Sequence, residues 1–388
     1  MSAAPVRVLH PITRLIVGGA QENTLFTAQR LDPARYQVEV LCGPQTGAEG
    51  SLIEEARQSG VRLTVLPTLV REVSPLNDLR ALFALRRIIR RGGYAIVHTH
   101  SSKAGLLGRL AARLAGAPHI VHTVHGWSFH DHMHPFVRRL YILLERWMAA
   151  YSAALITVSA ADRATGLRLG IGQPAQYRLI RSAIPLEAFD PALYDRAALR
   201  AELGFAPDAV VIGSVGRFSP QKNPLEWVRV AGRVARACPE ARFLLVGDGA
   251  LRAQVAAALD AEGLADKTLL PGLHRDVSRW MGAMDVFLIT SLWEGLPRTL
   301  PQAMAMRLPV VASRAGGAAE AVQDGRTGFL AAPGDTSAAA ARCLELARDP
   351  RMRREFGARA RQAALERFDL RQMIAEIEAL YDELLAHD

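Results

Sequence analysis

The sequence predicts an α/β protein of two doubly wound domains facing across a cleft, and three observations predict it. Short apolar runs alternate with amphipathic stretches along most of the chain, which is the rhythm of strands and crossover helices in a parallel sheet. The runs are apolar at consecutive rather than alternate positions, as strands buried on both faces are. The rhythm also stops at a segment containing Pro185, Pro191 and Pro207 and then restarts. A chain of 388 residues exceeds the roughly 250–300 at which a single core stops growing.

The elements follow in order. The run Val-Arg-Val-Leu-His at 6–10 opens the first sheet, and runs at 37–42, 62–66, 95–99, 120–124 and 155–158 supply its other strands. Between them the apolar spacing turns helical, at 22–31, 50–59, 77–91, 103–115, 136–152 and 160–169. The stretch 184–208 is read as the linker, because proline neither continues a helix nor donates to a ladder. The second sheet is predicted from runs at 210–215, 243–246, 268–270, 286–290, 309–312 and 328–331. Helical patterns at 336–347, 351–366 and 370–386 finish the chain. The domains are placed at 1–190 and 191–369, with 370–388 a terminal helix expected to pack back on the first domain.

Composition narrows the class. With 50% hydrophobic and 22% charged residues, the chain is neither disordered nor low in complexity. Its three cysteines, Cys42, Cys238 and Cys343, form no CxxC pair, which excludes a disulfide framework or zinc ribbon and suits a reducing cytoplasm. The start of the chain shows neither a basic region nor a long apolar region, so no signal peptide is expected. No apolar run approaches the ~20 residues of a spanning helix, and the expectation is a cytoplasmic protein, soluble or peripheral on the inner membrane face. The charge is uneven: residues 1–200 carry 24 Lys and Arg against 14 Asp and Glu, whereas residues 201–388 carry 23 against 24. A basic first half beside a neutral second half points to an anionic partner for one domain. No basic patch interleaved with aromatics supports nucleic-acid binding.

Gly18-Gly19 follows the first strand and its loop and precedes a helical stretch; glycine lets backbone N–H groups approach an anion there. No GxGxxG fingerprint occurs, and Gly247-Asp248-Gly249 lacks the third glycine, so dinucleotide binding is not expected. Arg217 and Lys222 lie just past the first strand of the second half, where open α/β sheets place their ligands. A planar fork and a point charge together suit a diphosphate. Lys222 carries weight because lysine otherwise occurs only at 103 and 267. The densest segment is Ser291-Leu292-Trp293-Glu294-Gly295-Leu296-Pro297-Arg298-Thr299-Leu300-Pro301-Gln302-Ala303-Met304-Ala305, followed by Leu308-Pro309-Val310-Val311 and Gly316-Gly317-Ala318-Ala319-Glu320. A carboxylate, a small residue and a helix start make a pocket able to hold sugar hydroxyls and a phosphate together.

At these residues the chain resembles the family 4 (group 1) retaining glycosyltransferases of the GT-B fold, which pairs two Rossmann-like domains. Their hallmark is two glutamates separated by seven residues before an Ala-Met-Ala helix, then a Gly-Leu-Pro-Val-Val strand and a Gly-Gly…Glu turn, which the run from Glu294 onward resembles. His125-Gly126 and Gly18-Gly19 extend the resemblance over nearly the whole chain. The run Val97-His98-Thr99-His100-Ser101-Ser102-Lys103-Ala104-Gly105 looks like a branch associated with surface-polysaccharide assembly. The resemblance implies transfer of a sugar from a nucleotide-diphosphate donor to a glycan or lipid-linked acceptor, with retention. The first domain would bind the acceptor and the second the nucleotide.

It also implies residue roles. Arg217 and Lys222 would bind the donor diphosphate, Glu294 the donor sugar hydroxyls, and His125 would lie by donor sugar and acceptor. Gly18, Gly19, Gly295, Leu296 and Arg298 complete the donor-binding set. The chain departs from the pattern at the second glutamate, the ribose contact, where Gln302 stands. The nucleotide sugar is a substrate, so no cofactor is expected. Two rival readings are a sugar-nucleotide epimerase or hydrolase on the same fold and a non-catalytic sugar-nucleotide-binding protein.

Two further features compete for attention. His119, His122, His125, His130, His132 and His134 crowd one segment, but the spacing 130, 132, 134 suits a polar loop better than a closed metal site. No Asp-x-Asp occurs either, and no metal is expected. Arg80, Arg86, Arg87, Arg90 and Arg91 with Leu79, Leu82, Phe83, Ile88 and Ile89 form a basic amphipathic helix. Packing on the sheet is its default, and contact with an anionic membrane surface the sharper alternative.

Overall fold

A computed structural model describes residues 4–45 and 49–386. The first three residues, part of the stretch read as free of a signal peptide, lie outside the described residues. The chain divides into two units, Met1–Ser182 with Arg371–Asp388, and Ala183–Leu370.

The first unit holds a parallel sheet of β1 (Val6–Arg14), β2 (Tyr36–Gly43), β3 (Arg62–Val65), β4 (Ile96–His100), β5 (His119–Val124), β6 (Ala154–Thr157) and β7 (Tyr177–Leu179), ordered β3-β2-β1-β4-β5-β6-β7. The sequence reading missed β7, a three-residue edge strand beside β6, too short to show a period. Neighbouring positions in a strand feed opposite faces. Leu9, Leu41 and Val97 join one cluster, and Ile12, Val40 and Cys42 another, so both faces of the sheet are covered. Helices Gly19–Arg30, Ile53–Gln58, Pro75–Gly92, Ser102–Ala115, Pro135–Ala149 and Ala160–Arg168 supply the crossovers, and the last helix, Leu370–Leu385, runs into this unit. Ser102–Ala115 is tied to Pro135–Ala149 by a buried ion pair, Arg109 to Glu145 at 2.7 Å. The register sets Val8 and Leu9 opposite Ile96 and Val97, and His98 and His100 opposite Val121 and Thr123.

The second unit holds β8 (Val211–Val215), β9 (Arg242–Val246), β10 (Thr268–Gly272), β11 (Val286–Ile289), β12 (Val310–Ser313) and β13 (Gly328–Ala331), all parallel and ordered β10-β9-β8-β11-β12-β13. Its core gathers Trp227, Phe243, Leu245, Val311 and Phe329. The segment expected as a linker is instead built into this unit. Ile184 exchanges backbone hydrogen bonds with the chain returning at 368–370, accepting from Leu370 N (3.2 Å) and donating to Phe368 O (3.0 Å). Buried Arg200 donates to the carbonyls of Ala283, Pro207 and Ala209 and pairs with Asp285. The division therefore falls at Ser182, ahead of the 190/191 read from the prolines. Between helix Thr299–Ala305 and β12, Arg307 takes φ 60°, a left-handed conformation unusual for a side chain.

Candidate functional site

The strand order of the second unit reverses between β8 and β11, and ligands of such sheets sit outside the carboxyl ends there. The loops leaving those two strands carry the residues singled out in the sequence. After β8, Gly216 N donates to Val246 O at 3.0 Å and Phe218 N to Asp248 O at 2.8 Å. Gly247 and Gly249 take φ 143° and 155°, and a Cβ on either would strike the backbone of Gly216 or Phe218. The partial glycine motif is thus a close approach between two loops. Phe218 is buried and pins the loop, leaving Arg217, half-buried, to line a recess with Gly216, Lys222 and Thr290.

Asn223, at φ 48°, turns the chain into helix Pro224–Ala237. The two loops are laced together there. Thr290 Oγ1 donates to the carbonyls of Lys222 (3.3 Å) and Asn223 (3.0 Å), and Leu292 N donates to Gln221 O at 2.8 Å. This brings Lys222 Nζ into an ion pair with the Glu294 carboxylate, whose second oxygen has Gln221 Nε2 at 3.4 Å. The Lys222 side chain is 25% exposed and that of Glu294 6%, so the pair is largely withdrawn from water. The Gly-Gly turn holds the carboxylate segment from behind. Gly317 N donates to Gly295 O at 2.6 Å, and a Cβ on Gly316 (φ 51°) would run into the Glu294 carbonyl.

Gly295, Leu296 and Gln302 are buried beside this pair in sequence, Gln302 on helix Thr299–Ala305. Arg298 is also buried, and its Nε donates to Ala183 O at 3.1 Å, where the chain enters the unit. Pro301 falls in the first turn of its helix, where no ladder N–H is needed. In the first unit, Gly18 precedes helix Gly19–Arg30 and accepts from Glu22 N at 2.9 Å, with Gly19 exposed at the helix start. His125, half-buried, follows β5, its Nε2 3.1 Å from His100 Nδ1.

His130, His132 and His134 stay on a loop, and His134 Nδ1 accepts from Phe136 N at 3.3 Å to cap helix Pro135–Ala149. The histidines that do gather are His10, His98 and His100, whose ring nitrogens come within 4.8 Å of one another. The sequence reading missed this cluster. Burial pushes the pKa of His10 down to about 3 and those of His98 and His100 well below the usual imidazole range. The available signal was the pairing of β1 with β4, which the spacing along the chain does not reveal.

Helix Pro75–Gly92 buries Ala81, Leu85 and Ile89. Leu79 and Phe83, expected on the packed face, instead join Leu76 outside, among Arg80, Arg87, Arg90 and Arg91. Helix Pro135–Ala149 likewise exposes Phe136, Leu140, Leu143 and Trp147 at the spacing of one face. Helix Ser102–Ala115 packs against both. No helix among the described residues is long and apolar enough to cross a membrane.

Two doubly wound domains with a basic loop at the second domain's switch point, salt-linked to a carboxylate, define a transferase of the GT-B class. Residues 209–349 match the family described as glycosyl transferases group 1, and residues 18–183 match the glycosyl transferase 4-like domain. The chain belongs to the group 1, family 4 glycosyltransferases. It is 31% identical to the Escherichia coli UDP-Gal:alpha-D-GlcNAc-diphosphoundecaprenol alpha-1,3-galactosyltransferase over 84% of each chain. Its fold is that of Anabaena HepE, solved with UDP and glucose (TM-score 0.83, 22% identity, 97% of this chain and 100% of that one). Sucrose-phosphate synthase from Thermosynechococcus elongatus has the same fold (TM-score 0.86, 22% identity, 99% and 100%). Family membership leaves the epimerase or hydrolase reading and the non-catalytic reading without support.

Proposed function

We propose that the chain moves a sugar from a nucleotide-diphosphate donor to an acceptor hydroxyl with retention, in the assembly of a surface polysaccharide or glycolipid at the cytoplasmic membrane face. One observation carries the reading: Arg217 and Lys222 share a recess outside β8 and β11, and Glu294 is ion-paired to Lys222. A diphosphate entering that recess competes with Glu294 for Lys222, which frees the carboxylate to accept hydrogen bonds from hydroxyls of the attached sugar. As the bond from the anomeric carbon to the phosphate oxygen breaks, charge grows on the leaving diphosphate, and the two cations offset it. The acceptor oxygen bonds to the same face of that carbon, and its proton passes to the departing phosphate oxygen, so no protein nucleophile is needed.

Backbone groups at Gly295 and Leu296 serve the sugar or phosphate in this reading, and Gln302 the ribose through a neutral hydrogen bond. Arg298, held at Ala183 O, acts by fixing the loop. The first unit takes the glycan or lipid-linked acceptor, with His125 by donor sugar and acceptor and the helix start at Gly18-Gly19 serving the donor phosphates. The E. coli relative, named for a UDP-Gal donor and a diphosphoundecaprenol-linked acceptor, supports a UDP-sugar and a lipid diphosphate. The test is to incubate the full chain with a panel of nucleotide sugars and a sugar-diphosphate-lipid acceptor, reading the anomeric configuration of the product by NMR. Consumption of an α-linked donor only with acceptor, giving an α product, is expected. An inverted product overturns retention, and a chain that binds no nucleotide sugar overturns the whole reading.

A further inference from the structure

Six buried or half-buried groups of the first unit form a continuous sequence of hydrogen bonds. Thr123 Oγ1 lies 2.6 Å from His98 Nε2, and His98 Nδ1 lies 2.6 Å from the Tyr381 hydroxyl on the last helix. That hydroxyl is 3.3 Å from His10 Nε2; His10 Nδ1 is 2.9 Å from His100 Nε2, and His100 Nδ1 is 3.1 Å from His125 Nε2. The ring geometry matches shared protons. His10 and His100 have centroids 5.2 Å apart at an interplanar angle of 12°, and His100 and His125 5.4 Å at 31°. With nitrogens 2.9 and 3.1 Å apart, such rings meet edge to edge. A transition metal would instead require nitrogens converging on one point at about 2.0–2.1 Å, and these nitrogens are already engaged with Tyr381, Thr123 and one another.

A neutral imidazole has one donor and one acceptor nitrogen, and a phenol one proton. The sequence of bonds therefore has two self-consistent states. In one, Thr123 donates to His98, His98 Nδ1–H to Tyr381, Tyr381 to His10, and so on, until His125 Nε2 accepts and the His125 proton sits on Nδ1. In the other every link is reversed, and His125 carries its proton on Nε2. Burial keeps His10, His98 and His100 neutral, as both states need.

We propose that Tyr381, His98, His10 and His100 are positioning residues that set the tautomer and ring orientation of His125, the bearing on catalysis resting on the reading that His125 faces the substrate. The tautomer decides whether His125 Nδ1, an atom closed off from water in the substrate-free chain, is a donor or an acceptor once substrate is bound. Helix Leu370–Leu385, through Tyr381, thereby contributes to a residue far from it in sequence.

The experiment is long-range proton–nitrogen NMR on the full chain labelled at histidine, together with transfer kinetics. Tyr381→Phe keeps the buried ring but cuts the sequence of bonds in two, and Thr123→Val removes its far terminus. A buried N–H left without an acceptor is rarer than a bare acceptor, so Thr123→Val should drive His125 to the Nδ1–H tautomer. By the same rule Tyr381→Phe, which leaves His10 Nε2 as the bare acceptor, should also drive His125 to the Nδ1–H tautomer, and it should lower kcat about tenfold with donor KM little changed. A His125 spectrum identical to wild type in both variants overturns the proposal, as does raised thermal stability with stoichiometric Zn²⁺, which would mark a metal site. If the tautomer responds but His125→Asn retains full activity, the coupling stands and the catalytic reading of His125 fails.

Discussion

Replacing Lys222 by alanine separates what this cation does for the fold from what it does for chemistry. Glu294, only 6% exposed, would lose its ion-pair partner and keep Gln221 Nε2 at 3.4 Å. Breaking a fully buried pair costs about 3–5 kcal/mol. Lys222 is 25% exposed, so water reaches the gap and the expected loss is about 1–2 kcal/mol. Adding Glu294→Gln removes the stranded charge, and the double variant should regain most of that stability. Turnover should behave differently. Losing a group that stabilises developing negative charge costs about 10²–10³ in kcat, roughly 2.7–4 kcal/mol, and neutralising Glu294 returns none of it. Urea unfolding measures the first quantity, and transfer at saturating donor the second. Wild-type turnover in Lys222→Ala, or turnover regained in the double variant, would show that Lys222 merely neutralises Glu294.

Changing Gln302 to Glu supplies a charge-assisted ribose contact remote from the reacting carbon; donor KM should move by no more than about tenfold (1.4 kcal/mol) with kcat unchanged, and an abolished kcat contradicts the assignment. His10, His98, His100 and His122 are held neutral by burial, facing Tyr381, Thr123, His125 and Arg109. The unfolded chain takes up their protons below pH 6.5 and the folded unit does not, so stability is full above that pH and falls below it by about 1.4 kcal/mol per pH unit per histidine. Urea midpoints of the first unit that stay flat down to about pH 5 would refute this. Arg307→Gly relieves a left-handed side chain and should raise stability by about 0.5–1 kcal/mol in the same assay. The full chain should float with anionic vesicles at low salt and be released at high salt, each basic residue contributing about 1 kcal/mol; Leu140→Glu with Trp147→Glu should abolish binding, and equal flotation with neutral vesicles would remove the electrostatic argument.

Twelve of the strands were legible because each is an apolar run between turn residues, and β7 was lost because Tyr177–Leu179 offers no period. The donor loop and the Glu294 segment were legible because strand, loop and helix start are contiguous in sequence. What pairs Lys222 with Glu294 is the adjacency of β8 and β11, a fact of sheet order rather than of spacing. The histidine cluster was hidden for the same reason: His10 meets His98 and His100 only because β1 lies beside β4. Helix Pro75–Gly92 was misread on one face. Its apolar residues exceed one stripe, and the neighbouring helix, not the periodicity, decides that Leu85 goes in and Phe83 stays out.

The assignment of Arg371–Asp388 to the first unit has a consequence for how the chain is made. During synthesis from the amino end, β1 through β7 emerge long before Tyr381, whose hydroxyl supplies a partner to His98 and His10. Until that last helix leaves the ribosome, two buried imidazoles lack a native bond and the surface it covers stays open. The second unit, with both ends in hand at Leu370, can close first. The unit that begins the chain is thus the one that finishes last.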